Sequence, residues 1–404
     1  MPKYNVYTKI ESNVPASNLF YDLNVYRTDA NNKKYVLLTV SEQPIDPNYY
    51  TQSHDTNDTD DDLSVIYIIE ISLYRKHGGK LISVLSSPAK RMYTLGEIAS
   101  GKAYSKSKRE NVCYFETKAQ TKLVNDNRDE NIHSVQITCL ERAFIAKEYP
   151  IGSEDDPFDK KKIESQLTSR IKHSNYPNQG GTSLCGPASF FYCLLMDRPD
   201  VYKQAVNELW LHGKTKIGTL EISPGNGCRH PKGSFYDDYG REAISGLDWI
   251  TLASLRDSEN SIMSYDEVGE QVAGITMWGK LTQWFEKAGY EKIFDNISLS
   301  HSNLKDIINM NNYIGKGYKV VSLISAGMLS DFPGDSSSKN HWMVWTEQVK
   351  CGNGVVISER TSSEDVVDLN LFSWGTVGSQ LKNNISLGSF MKHTFGGLVF
   401  RPIK

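Results

Sequence analysis

Apolar positions change their rhythm partway along the chain. Over the first 150 residues they fall in short runs with partial alternation. "KKYVLLTVSE", "LSVIYIIEISLYRK", "ENVCYFETKAQTKLV" and "HSVQITCLERAFIA" are rich in Val, Ile, Tyr and Thr and predict strands. Between the first two lies "PIDPNYYTQSHDTNDTDDD", whose polar and acidic residues predict a mobile loop. Its aspartates do not have the spacing of a calcium-binding EF-hand. "YPIGSEDDPFDKKKIES" (149–165) follows, with Pro, Gly and a charge run, and predicts a domain boundary.

Beyond that stretch the period lengthens. "SFFYCLLM", "DVYKQAVNELWLHG", "ISGLDWITLASLRD" and "TMWGKLTQWFEKAGY" read as helices. For the second, Asp200 is the expected N-cap and Gly213 the stop. "HSNLKDII" reads as a further helix start. Strands then return in "GYKVVSLISA", "HWMVWTEQV", "GVVISE" and "DVVDLNLFSW". Helices first and strands later predict an α+β domain over 160–404, preceded by a mostly β domain over 1–150.

The bulk properties narrow the function. With 404 residues, 39% hydrophobic and 23% charged, the chain has a globular composition and room for two domains. A net charge of −3 gives no electrostatic footprint for nucleic acid. The apolar run Ser189 to Met196 is far short of the ~20 residues that cross a bilayer. "MPKYNVYTKIESN" has no apolar core of a secretory signal, so export would need machinery that does not read one. The six cysteines, Cys113, Cys139, Cys185, Cys193, Cys228 and Cys351, form no CxxC pair and predict reduced thiols. "CRHP" lacks the further ligands a tetrahedral metal site needs, and no cofactor is expected.

One stretch carries chemistry: "NQGGTSLCGPASFFYCLL" (178–195). Gly180, Gly181 and Gly186 permit tight backbone paths, and Pro187 suits the first turn of a helix. Cys185 then opens a helix that is apolar nearly all round. The positive end of the helix dipole is expected to lower its thiol pKa. Its backbone N–H would be free for a developing oxyanion, with the Gln179 side chain as a second donor. A nucleophilic cysteine needs a base from far along the chain. His341 follows the polar loop "SDFPGDSSSKN" and opens an apolar strand. An orienting group is also expected. Asp368 shares a strand and, by period 2, a face with Asn370 and Phe372, and is the first choice. Glu359 is the alternative.

Gln179 six residues before Cys185, the downstream His341, and Ser373-Trp374-Gly375 in "LNLFSWGT" resemble the papain-like cysteine peptidases. "CGP" is closer to the bacterial branches, such as bacteriocin-processing peptidases and polymorphic toxin domains. The family's strand ends in Asn before Ser-Trp-Gly, and Phe372 stands at that position here. The resemblance implies a nucleophile helix packed on an antiparallel sheet that carries the histidine. It implies cleavage of amide bonds in a protein substrate through a thioester. "GLDWITLASLRDSEN" and "TMWGKLTQWFEKAGY" also look like segments of bacterial effectors delivered to rival cells by type VI or contact-dependent secretion. A cognate immunity protein would then be a partner. A deamidase, a transglutaminase or a peptidoglycan amidase would keep the site and change the reaction. A catalytically inactive binding module is the alternative of a different class.

Overall fold

A computed structural model describes residues 3–10, 12, 14–85, 87–100, 142–258, 278–332 and 338–404, with the backbone of 114–118 and 133–137. Cys113, Cys139 and part of the loop before His341 (333–337) lie outside the described residues. The chain is α+β and divides into two compact units, Met1–Glu141 and Arg142–Lys404.

The first unit is built on a five-stranded antiparallel sheet: β1 (Leu19–Thr28), β2 (Lys34–Pro44), β3 (Ile66–His77), β4 (Lys80–Ser83) and β5 (Ala89–Thr94). Its order is β2-β1-β3-β4, with β5 also paired to β3. Leu19, Tyr21, Leu23 and Val25 of β1 are fully buried while the residues between them are not, the alternation a one-sided sheet requires. The acidic loop is more ordered than its composition predicts. Asp61 is buried and takes both Nε and Nη2 of Arg27, at 2.6 and 3.1 Å, plus the Tyr67 hydroxyl at 2.6 Å. A carboxylate withdrawn from water persists only with such partners.

The second unit begins earlier than the 149–165 stretch suggests. Those residues are packed, with Phe158 fully buried between Phe144 and Phe235 at ring separations of 5.6 and 5.4 Å. The polar and charged letters around Phe158 hid this anchor. Helices α1 (Lys160–Ile171), α2 (Cys185–Asp197) and α3 (Pro199–His212) follow. In α3, Pro199 takes the first helical position and Asp200 lies in the first turn, paired with Arg198 at 2.9 Å, so Asp200 is not the N-cap. Gly213 ends the helix in the left-handed region as expected. Residues 246–258 form one helical run with a π-type middle, and Trp278–Lys287 forms α4. Asn303 and Asp306 form a capping box at the start of α5 (Leu304–Ile314).

A six-stranded antiparallel sheet completes the unit: β6 (Glu291–Asp295), β7 (Lys319–Ile324), β8 (His341–Trp345), β9 (Asn370–Ser373), β10 (Thr376–Ser379) and β11 (Thr394–Arg401). The order is β6-β11-β7-β8-β9-β10. Neighbouring residues face opposite layers. Phe372 stacks on Tyr192 of α2 at 4.0 Å and Phe400 on Phe285 of α4 at 4.2 Å. Leu371 and Val399 join the core that α5 covers on the other side. Strands covered on both faces lose the alternating signature. In β11, "GLVF" is accordingly buried without alternation. No described helix is long and apolar enough to cross a membrane.

Removing one partner of a buried pair strands the other charge. Asp61→Ala is therefore expected to lower the stability of the first unit by about 3 kcal/mol. Urea unfolding followed by the fluorescence of that unit expressed alone checks this, and an unchanged midpoint would contradict it.

Candidate active site

The approach to Cys185 is a turn tied to itself. Thr182 donates its N–H, at 3.2 Å, and its hydroxyl to the Gln179 carbonyl, while Gln179 Nε2 donates to the Thr182 carbonyl at 2.9 Å. Gly180 sits inside this turn at φ +56°, and a Cβ there would stand 2.0 Å from the Ala243 carbonyl oxygen. No other residue type fits both constraints. The turn delivers the chain to Cys185, the first helical residue of α2, so the Cys185 N–H has no acceptor within the helix.

His341 begins β8 and is buried, as is Cys185. Together with Gln179, Gly180, Gly181, Thr182, Ser183, Ala326, Phe332, Asn340 and Trp374 they line one cavity of about 250 Å³. Three of the four sequence-predicted site residues, Cys185, His341 and Gln179, thus meet. The Trp342 N–H, which immediately follows His341, faces the Cys185 sulfur.

The fourth residue does not join them. Asp368 belongs to a separate two-stranded ribbon, is exposed, and accepts a bond from the Ser379 hydroxyl at 2.5 Å. The strand breaks at Leu369, so period 2 does not carry from Asp368 into β9. Glu359 lies in an exposed turn and lines no part of the cavity. The partner of His341 is instead Ser373, whose Oγ lies 2.7 Å from Nε2. Sequence reasoning noted Ser373 within Ser-Trp-Gly but assigned it no role. Phe372, the residue before Ser373, turns away onto Tyr192.

The residue after Ser373 holds the ring from its face. Trp374 stacks on His341 at 4.4 Å between ring centres, and Phe332 stacks behind Trp374 at 6.5 Å. Trp374 and Gly375 have φ of 41° and 76°. These are the two central residues of the β9–β10 hairpin, whose primed turn demands positive φ at both. Asn178 packs against Gly375 so closely that a Cβ there would lie 2.7 Å from the Asn178 Cβ.

Electrostatics differ from the thiolate that the helix terminus alone would favour. Burial pushes the Cys185 thiol up to about 11, against the pull of the Trp342 and Gly186 N–H groups and of Arg256. Burial likewise lowers His341 to about 3. Desolvation outweighs these N–H groups and Arg256. At neutral pH the resting pair is a thiol and a neutral imidazole, and the imidazole is able to accept a proton. No described cluster of His, Cys, Asp and Glu has the makings of a metal site.

Because the thiol titrates high, the reactive thiolate fraction grows about tenfold per pH unit below its pKa. Alkylation of Cys185 by iodoacetamide, read by mass spectrometry at that peptide, is expected to climb steadily from pH 6 to 9. A rate already flat from pH 6 upward would mean a preformed thiolate–imidazolium pair and contradict this assignment.

No protein-family model, no curated protein and no solved structure matches the chain.

Proposed function

We propose that the second unit is a papain-like cysteine peptidase acting on amide bonds of a protein. The observation that carries this reading is the single cavity shared by Cys185 and His341, with His341 held at Nε2 by Ser373. Cys185 Sγ attacks the carbonyl carbon of the substrate and its proton passes to Nδ1 of His341, the nitrogen that Ser373 leaves unused. A carbon–sulfur bond forms and negative charge develops on the carbonyl oxygen. The Cys185 N–H and the second N–H of the Gln179 carboxamide are the donors for that charge. Collapse breaks the carbon–nitrogen bond, and the leaving amine takes the proton from His341. Water then adds to the thioester, giving its proton to His341. The carbon–sulfur bond then breaks, the acid leaves, and the sulfur takes the proton back from His341 to restore the thiol.

Ser373 replaces the missing Asn in this scheme. Accepting Nε2–H fixes the tautomer in which Nδ1 carries a lone pair. The effector reading, in which the protein enters a target cell and an immunity protein blocks the site, rests on the sequence resemblance. Deamidation or transglutamination would use the same thioester and exchange only the leaving or incoming group.

The test is expression of wild type and Cys185→Ala in a bacterial cytoplasm, and separately with a periplasmic export signal. The expected result is growth arrest in the cytoplasm, with new fragments of a few host proteins, both lost in Cys185→Ala. Toxicity with one-dalton shifts and no fragments would mean a deamidase. Toxicity confined to the periplasm would mean a cell-wall amidase. Identical behaviour of the two proteins in both compartments would count against catalysis by Cys185.

A further inference from the structure

A buried ion pair lies behind the Gln179 turn. Arg170 of α1 and Asp248 at the start of the 246–258 helical run are 3% and 1% exposed, with Nη2 and Oδ2 2.6 Å apart. Each also holds the segment that leads to Gln179. Arg170 Nε donates to Asn175 Oδ1 at 2.9 Å. Asp248 Oδ1 accepts the Asn178 N–H at 3.1 Å, and Oδ2 also accepts the Ser245 hydroxyl at 2.7 Å. The pair therefore grips residues 175 and 178 and leaves the next residue, Gln179, at the cavity.

Asn178 passes this constraint on in two directions. Its side-chain oxygen accepts the Gly180 N–H at 2.9 Å, within the Gln179 turn. Its Cβ presses on Gly375, in the hairpin turn that carries Ser373 and Trp374. One residue thus sets the spacing between the wall that supplies the oxyanion donor and the wall that holds His341.

We propose that Arg170 and Asp248 are positioning residues that act through Asn178 to place the Gln179 donor relative to Cys185 and His341. This rests on the peptidase reading, because it needs an oxyanion to be stabilised. The role differs from simple structural support in what it should affect. Acylation of Cys185 by p-nitrophenyl acetate passes through an oxyanion. The carbon–sulfur bond forms, the ester carbon–oxygen bond breaks, p-nitrophenolate leaves, and the thiol proton goes to His341. Alkylation by iodoacetamide displaces iodide from a saturated carbon and forms no oxyanion.

Both rates are measured on the full chain for wild type, Asp248→Asn and Asn178→Ala. Asp248→Asn keeps two side-chain polar atoms and loses the charge. Asn178→Ala keeps the backbone N–H that Asp248 holds and the Cβ that faces Gly375, and removes the Oδ1 acceptor of the Gly180 N–H, so it tests the last link from Asn178 to the Gln179 turn and carries the test if Asp248→Asn fails to fold. The ratio of acylation to alkylation is expected to fall about tenfold or more in each, since a misplaced oxyanion donor acts like a lost one. An unchanged ratio in folded Asp248→Asn, or in Asn178→Ala, would overturn the positioning through Asn178 while leaving the nucleophile in place. A wild type with no Cys185-dependent release of p-nitrophenolate would overturn the peptidase reading and the positioning role together.

Discussion

The packing of the apolar helix Cys185–Asp197 on the sheet strand His341–Trp345 brings together two residues far apart in sequence. It does so by burying both. All of this helix except Met196 is buried, and all five residues of the strand are buried. Cys185 cannot slide or rotate without opening a core that includes the Tyr192–Phe372 stack. The same burial sets the charge state. A thiol pushed up to about 11 and an imidazole brought down to about 3 form a neutral pair, although a helix N-terminus points at the sulfur. In the proposed mechanism the proton therefore moves as the substrate is attacked, and a neutral, correctly tautomerised His341 is what that mechanism requires.

That requirement explains the density of contacts around one ring. Ser373 holds its edge, Trp374 covers its face, and Phe332 backs Trp374. Ser373 and Trp374 depend on local backbone geometry. The hairpin turn at Trp374–Gly375 has positive φ at both central residues, and it fits against Asn178 only because residue 375 has no Cβ. On the opposite wall, Gly180 performs a parallel service beside Ala243. The two walls are thus each fixed by a glycine, and Asn178 touches both.

Much of this was legible in the sequence where one residue type has few alternative uses. A cysteine between glycines and an apolar helix, a histidine opening an apolar strand, and a glutamine six residues before the cysteine were found from the letters and share one cavity. The orienting group was not. Asp368 satisfied the period-2 rule on paper, but the strand breaks at Leu369 and leaves it exposed. Ser373 is a weakly informative letter, since a serine next to a turn usually serves the turn. The packing of residues 149–165 and the strand β11 drew no reading for a related reason. Phe158 is a lone apolar anchor among charges, and β11 is covered on both faces so that nothing alternates. Arg170 and Asp248 were invisible, because a buried ion pair looks like two surface charges until the fold joins them.

The most direct test of this account is nitrogen NMR of ¹⁵N-histidine-labelled protein, with His341 assigned by comparison with His341→Gln. At neutral pH the account predicts that Nε2 carries the proton, that Nδ1 is bare, and that no titration occurs down to about pH 4. A proton on Nδ1, or a midpoint near the ordinary histidine value of about 6.5, would contradict it. Either result would show that His341 is not held by Ser373 as a neutral base for Cys185.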